Sequence, residues 1–312
     1  MSAMKESELP KPPVPELSVT LDRFLEGIRA IVPIDKYEEA RRLVEDYKTS
    51  EEMQKLQGLL EKYAETHENY VTEIWLKENL KNPLPLPVNS SLFFLLEKCL
   101  FLTADGRRGF IADFIIFLLM FKERVDSGEL KEKFAKIQKE ENALSMATYD
   151  HFFTVYRRPG AIKDEHVFSE GGRYFIVACE NQLFRVEASP FTNSNTSEIA
   201  LMEDLKKIEW LSKLKPHYLP VGILTALNRK EWARIREQMI EDDDNKESIR
   251  IIENCMFVVC MDETIKDLRE HTRSKNFSDR LMEDCAHHIL HGNTSKHSTG
   301  NRWFDKFIQG TF

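Results

Sequence analysis

The sequence predicts an α/β fold: a β-sheet flanked by helices and preceded by a helical segment. Three observations carry the prediction. Apolar residues recur at helical spacing from residue 17 to about residue 80. Two β-type runs, Tyr174–Cys179 and 183–187, lie close enough to pair, and helical patterns then alternate with a further strand to residue 261.

Residues 1–16 form a proline-rich tail, in which Pro10, Pro12, Pro13 and Pro15 remove backbone donors and keep the approach to the first helix extended. Residues 17–82 read as a helical segment. Leu17, Leu21, Phe24, Leu25 and Ile28 share one helical face, and Asp35 is placed to cap a second helix. Thr49 with Glu52 makes a capping box ahead of Met53, Leu56, Leu59, Leu60 and Tyr63. Residues 83–91 follow as a linker, because Pro83, Pro85 and Pro87 alternate in a way that suits neither a helix nor a central strand.

Residues 92–312 are assigned to an α/β domain, which the family resemblance given below implies to be partial. Its apolar runs, 91–102 and 110–121, are each well short of the ~20 residues that cross a bilayer. Fusing them would bury Asp105, Arg107 and Arg108, so both are expected as buried helices with no membrane span. A charged stretch at 122–141 leads to the hairpin, whose turn is Glu180-Asn181-Gln182. Helices are expected over Ser197–Leu214 and 229–240, the second opened by Asn228 with Glu231. A helix from Asn245 and a strand at 256–261 complete the alternation.

Composition narrows the function classes. With 42% hydrophobic and 31% charged residues the chain has an ordinary globular balance. Its formal net charge of −8 is spread along the length, which argues against nucleic acid as a partner. Cys99, Cys179, Cys255, Cys260 and Cys285 form an odd set without a C-x-x-C pair and read as reduced thiols. The opening residues are acidic-leaning, unlike a secretory signal or a mitochondrial transit peptide, so a cytoplasmic location is expected.

Residue constellations supply little chemistry by themselves. His287 and His291 would share a helical face as zinc ligands do, with His288 beside them, but no general-base Glu lies between and no third ligand is evident. They read as polar residues on a helix that ends at Gly292, and no metal or bound cofactor is expected. Glu241, Asp242, Asp243 and Asp244 lack the spacing of a calcium loop and read as a solvated connection between helices. After the polar loop 292–300, Arg302, Trp303, Phe304 and Asp305 place large aromatics and an ion pair on alternating faces of a strand, a pattern that reads as core. Hydrolase-elbow, P-loop and dinucleotide-binding signatures are absent from the sequence.

Five segments, in order along nearly the whole chain, resemble the choline/carnitine O-acyltransferase family. They are Leu9-Pro-Lys-Pro-Pro-Val-Pro-Glu-Leu17; Leu84-Pro-Leu-Pro-Val-Asn-Ser-Ser91; and residues 149–160, ending Tyr156-Arg-Arg-Pro-Gly160. The fourth joins Val221-Gly-Ile-Leu-Thr225, Trp232 and residues 245–262; the fifth is Leu290-His-Gly292 with Gly300-Asn-Arg-Trp-Phe-Asp-Lys306. Val19 and Phe24 depart from the family pattern.

The resemblance implies a mixed α/β fold and acyl transfer between coenzyme A and the hydroxyl of a quaternary ammonium alcohol. Acyl-CoA is then the co-substrate, with choline slightly favoured over carnitine as acceptor. The chemistry calls for a neutral histidine as general base and donors for the oxyanion at the thioester carbon. Aromatic walls would suit the acceptor's fixed cation. The family's histidine falls beyond Phe312, so the chain is expected to hold no catalytic residue and to be a truncated, inactive part of the enzyme. His291 and His297 are not expected to take its place. Gly310-Thr-Phe312 also leaves the family pattern, consistent with that expectation.

By the same resemblance Asn89 is a substrate-binding candidate, and Asn301, Arg302, Trp303, Asp305 and Lys306 support the strand that leads to the histidine. A non-catalytic fragment or pseudoenzyme acting as a binding scaffold is the alternative. In either case the stripe Leu56, Leu60 and Tyr63 is expected to be poorly covered, which favours aggregation of the chain by itself.

Overall fold

The computed structural model describes residues 9–90, 101–130, 134–137, 140–169, 171–188, 197–214, 219–262, 300–306 and 308–312, with positions 282, 283, 286 and 290. These fall into two units, one of residues 9–79 with 134–145 and one of the rest.

The first unit is built from helices α1 (Leu17–Ile28), α2 (Ile34–Thr49), α3 (Glu51–Thr66) and α4 (Tyr70–Leu80), plus the short antiparallel pair β1 (Phe134–Ile137) and β2 (Glu140–Ala143). Its interior is thin. Leu25, Val44 and Tyr70 are buried, with the Tyr70 hydroxyl donating to the Pro13 carbonyl at 3.1 Å, which ties down the proline-rich tail. Two capping expectations shift. Helix α2 begins after Pro33, leaving Asp35 in its first turn, where a carboxylate still complements the helix dipole. Ser50, not Thr49, caps α3, its hydroxyl accepting from Met53 N at 3.2 Å. Thr49 is the last residue of α2 and bonds back to the Asp46 carbonyl. No residue of α3 is buried, and Leu56 and Leu59 are 50% and 54% exposed while Leu60 and Tyr63 are half-buried.

The second unit holds the sheet. Residues expected as an irregular linker form a single helical turn, α5 (Leu86–Asn89), which accommodates Pro85 at its N-cap and Pro87 in its first turn, where no backbone donor is needed. The run 91–100 lies outside the described residues. The run 110–121 lies within α6 (Ala104–Asp126), which starts earlier than expected because Thr103 accepts from Gly106 N at 3.0 Å. Then come α7 (Ala147–Asp150), the antiparallel hairpin β3 (Val155–Arg158) and β4 (Glu165–Phe168), β5 (Tyr174–Cys179), β6 (Gln182–Glu187), α8 (Ser197–Leu214) and a 3-10 turn at Val221–Ala226. Helices α9 (Arg229–Met239) and α10 (Asp243–Glu253) precede β7 (Val258–Met261) and β8 (Gln309–Thr311).

Strand order is β6-β5-β7-β8, with β5 and β6 antiparallel and β5, β7 and β8 mutually parallel, so the sheet is mixed. Glu180 and Asn181 adopt φ of 50° and 61°, the left-handed conformation that closes a two-residue hairpin turn with the sheet's own twist. Both faces are covered. Phe175, Val177, Val259 and Met261 point into a core with Ile111, Ile115, Leu201 and Leu205 of α6 and α8. Ile176, Ala178, Val258 and Cys260 alternate to the opposite side against Trp232, Ile249 and Ile252 of α9 and α10. Among the described residues no helix is long and apolar enough to cross a membrane.

The acidic stretch at 241–244 is exposed, as expected of a solvated connection between helices, but it also opens α10. Asp242 caps α10 by accepting from Asn245 N at 2.9 Å, and Asp243 and Asp244 fill the first turn, where the helix dipole favours negative charge.

Candidate functional site: a buried ionic layer at residues 300–306

Residues 301–306 were expected as a strand carrying an Arg302–Asp305 pair. The structure overturns both points. The segment is irregular backbone, apart from one bridge between Lys306 and Tyr156, and regular pairing resumes at β8. Arg302 and Asp305 engage different partners. Arg302 donates from Nη1 and Nη2 to the two oxygens of Asp262, at 2.8 and 2.6 Å, at the end of β7. Asp305 accepts from Arg229 Nη1 at 2.8 Å and from the Trp232 indole at 2.7 Å, both on the first turns of α9.

The pairs extend into a layer. Asp164 Oδ2 accepts from Arg229 Nε at 2.7 Å and from Arg157 Nε at 2.6 Å, while its Oδ1 accepts from Gly160 N at 3.2 Å. The backbone joins in, because Arg157 N donates to the Asp305 carbonyl at 2.8 Å and Arg229 N to the Pro83 carbonyl at 2.9 Å. Hairpin β3–β4, helix α9, the proline segment and residues 300–306 are thereby locked together.

Irregular backbone inside a protein must find partners elsewhere, and here side chains provide them. Asn301 accepts from Asn181 N at 2.7 Å and donates to the Met261 carbonyl at 3.2 Å, bridging the hairpin turn to β7. Trp303 N donates to Gln309 Oε1 at 2.7 Å, and Phe304 N to Thr225 Oγ1 at 3.1 Å. Lys306 donates from Nζ to the Glu253 carbonyl at 3.1 Å, capping the end of α10. Two glycines allow the approach. A Cβ on Gly222 would stand 2.2 Å from the Arg302 carbonyl oxygen, and one on Gly300 would stand 1.9 Å from Asn181 Oδ1.

Burial sets the electrostatics. It pushes the Asp305 carboxyl up to about 6 against the opposing pull of Arg229 and the Trp232 indole. It also lowers Lys306 and raises Glu253, although Arg236 grips that carboxylate from Nε and Nη2 at 2.9 and 3.0 Å. The Trp303 ring meets Trp232 edge-on at 6.0 Å, so the aromatic pair and the charges form one packed unit.

The structure therefore brings together Asn301, Arg302, Trp303, Asp305 and Lys306, each buried, in an arrangement suited to fixing backbone rather than to moving protons. Asn89 is exposed and turns its amide onto the Pro85 and Pro87 carbonyls at 2.8 and 3.2 Å. His287, His288, His291 and His297 lie outside the described residues. Of the histidines described, His67 stacks on Tyr63, His151 tilts over Phe168, and His166 is lowered by burial and by Arg157. Among the described residues no group of three metal-ligating side chains occurs. Asp164 and Arg229 were missed as members of the layer.

The family described as choline/carnitine O-acyltransferase matches residues 12–312. Similar proteins include the choline O-acetyltransferases of Gallus gallus, 32% identical over 97% of this chain, and Danio rerio, 33% identical over 96%. The carnitine O-acetyltransferase of Rattus norvegicus is 31% identical over 97% of this chain. In each case the matched part is 47% of the relative, so the chain spans about half the length of the curated relatives it matches.

Proposed function

Because the chain belongs to the choline/carnitine O-acyltransferase family, we propose that it is the positioning part of an enzyme that moves an acetyl group between coenzyme A and a quaternary ammonium alcohol. The observation that carries this reading is the buried layer at 300–306. The charged side chains described there, with Asn301, are engaged in pairs and backbone contacts that hold the segment in place, the buried Trp303 indole N–H being the exception, and β8 follows at the edge of the mixed sheet. A general base must reach the acceptor hydroxyl at about 2.6–3.2 Å, and none of the three described histidines is placed within this layer. The base and the oxyanion donors are assigned to residues other than those described.

Choline is slightly favoured over carnitine as acceptor: Leu86-Pro-Val-Asn-Ser-Ser91 and residues 177–182 and 251–255 look more like choline-acting members of the family, against Ser295-Lys296 and Gly300-Asn-Arg-Trp-Phe304, which look more like carnitine-acting ones. Residence in the cytoplasm belongs to the same reading, and Cys179, Cys255 and Cys260 are buried free thiols that suit reducing surroundings.

The test incubates the purified 312-residue chain with acetyl-CoA and either choline or carnitine and follows free thiol. No release above background is expected from this chain by itself. Turnover that disappears on His291→Ala or His297→Ala would refute the positioning assignment. A protein joining this chain to the remaining length of its relatives is expected to release thiol with choline. A tenfold preference for carnitine would overturn the acceptor, and inactivity with both would favour the second reading, a binding scaffold. That reading draws on the same fact, that the described polar side chains of 300–306 are taken up in structural pairs.

A further inference from the structure

A groove of about 540 Å³ opens between hairpin β3–β4 and the two helices α9 and α10. Its lining is distinct from the ionic layer above. Tyr156 forms the inner wall with Arg236 and Glu253, and three cations stand at the mouth: Arg158 on β3, and Lys246 and Arg250 one turn apart on α10. The spacing follows from the helix, since residues 246, 250 and 253 fall on one face.

The pairing of these charges decides what the groove can take. Arg236 is committed, gripping Glu253 from two nitrogens in a partly buried pair. Among the described residues the ion pairs of Arg158 and Arg250 are with Glu165 and Glu247, both exposed to solvent, and Arg158 also feels the Glu253 carboxylate. Exposed pairs are weak because water screens them and both side chains give up freedom, so an incoming anion can displace those carboxylates at small loss. Lys246 has no carboxylate within ion-pair distance among the described residues. A chain of net charge −8 thus presents three exchangeable cations around one opening.

Acidic residues flanking the groove limit the size of the anion. Glu237 lies on the rim, and Asp242, Asp243 and Asp244 precede Lys246 at the start of α10. An extended polyanion, whether nucleic acid or an acidic peptide, would meet that negative charge. A compact group with several oxygens avoids the Asp242–Asp244 run and meets, within the groove, Glu237, the Glu165 it displaces from Arg158, and Glu253, which stays paired with Arg236. Phosphate oxygens also match the donors, because guanidinium binds them through two parallel N–H groups and lysine through a point charge.

We propose that this groove is a binding site for a compact phosphate or diphosphate group, held by Arg158, Lys246 and Arg250. The proposal stands apart from the acyl-transfer reading and does not depend on it.

Titration calorimetry of the 312-residue chain with sodium pyrophosphate at low ionic strength tests it. One-to-one binding is expected, weakening as salt is added. Lys246→Ala and Arg158→Ala are each expected to lower the affinity at least fivefold, with unchanged thermal melting because both side chains are exposed. Absence of saturable binding would overturn the proposal, as would binding retained in both variants. Inorganic phosphate is expected to bind more weakly than pyrophosphate. A ten-residue oligoglutamate that bound more tightly than pyrophosphate would overturn the ligand class.

Discussion

Replacing Asp305 by alanine removes the carboxylate that receives both Arg229 and Trp232. Two hydrogen bonds of 2.8 and 2.7 Å are lost, both to a charged acceptor inside the protein. Such bonds contribute about 1.5–3 kcal/mol each, and breaking a buried pair from one side typically costs about 3–5 kcal/mol because the remaining charge stays buried. Arg229 keeps Asp164 through Nε at 2.7 Å, which places the expected loss at the lower end, about 3–4 kcal/mol. Asp305→Asn keeps an acceptor for the indole and should lose about half as much. Urea unfolding, followed by far-UV circular dichroism and tryptophan fluorescence, measures both. A loss below about 1 kcal/mol for Asp305→Ala would show that the layer does not hold the 300–306 segment, since an ordinary exposed substitution does as little.

The same carboxyl gives a pH signature. Its folded value, about 6, lies above the ordinary 3.8, so between those values the native state binds more protons than the unfolded chain, and this group's contribution is full below about pH 4 and lost as pH rises through 6. The stability difference between the parent chain and Asp305→Asn should therefore fall across that window; a flat difference would show that burial does not dominate at Asp305. Gly222→Ala places a methyl 2.2 Å from the Arg302 carbonyl oxygen and 2.3 Å from that of Gly300, both backbone atoms, and is expected to cost on the order of 2–3 kcal/mol, lowering the melting temperature by about 3–8 degrees. Normal melting of that variant would mean the 3-10 turn and residues 300–302 can separate freely. On α3, exposed Leu56 and Leu59 leave apolar area in water at about 25 cal/mol per Å², so the chain should self-associate and Leu56→Lys with Leu59→Lys should reduce this in sedimentation velocity. A monomeric parent chain at high concentration would count against it.

The elements that the sequence disclosed are those whose stabilising contacts are local or periodic. Strand β5 is buried along its whole length and reads as an unbroken apolar run, as a strand covered on both faces must. Helix α9 announced itself through Asn228, whose side chain accepts from Lys230 N at 3.2 Å within the first turn. Where local signals competed, boundaries moved by a residue or more. Thr49 and Ser50 both offer a hydroxyl, and only the end of α2 decides that Ser50 is the cap. The Asp242 cap was hidden in a run of four acids because a solvated loop and a dipole-facing first turn have the same composition.

Residues 301–306 failed for a different reason, and the failure bears on function. Large aromatics flanked by charges satisfy a strand's alternation, yet a strand needs neighbouring backbone to pair with. Here Asn301, Thr225 and Gln309 provide side-chain partners, while Asp262 and Arg229 neutralise the charges from 40 and 76 residues away along the chain and Asp164 pairs with Arg229 from 65 residues away. Such partners leave no periodic trace in sequence. Asp164 and Arg229 therefore stayed silent although they are as buried as Asp305. Sequence-local rules would have allowed a cheaper solution, an apolar strand. An irregular segment fixed by several buried charges is instead rigid at one place and in one conformation, because each pair fits only when all the elements that carry it are docked. That is the property needed of a segment that must deliver the following strand in a set register, which is why the geometry supports positioning as the role of these residues.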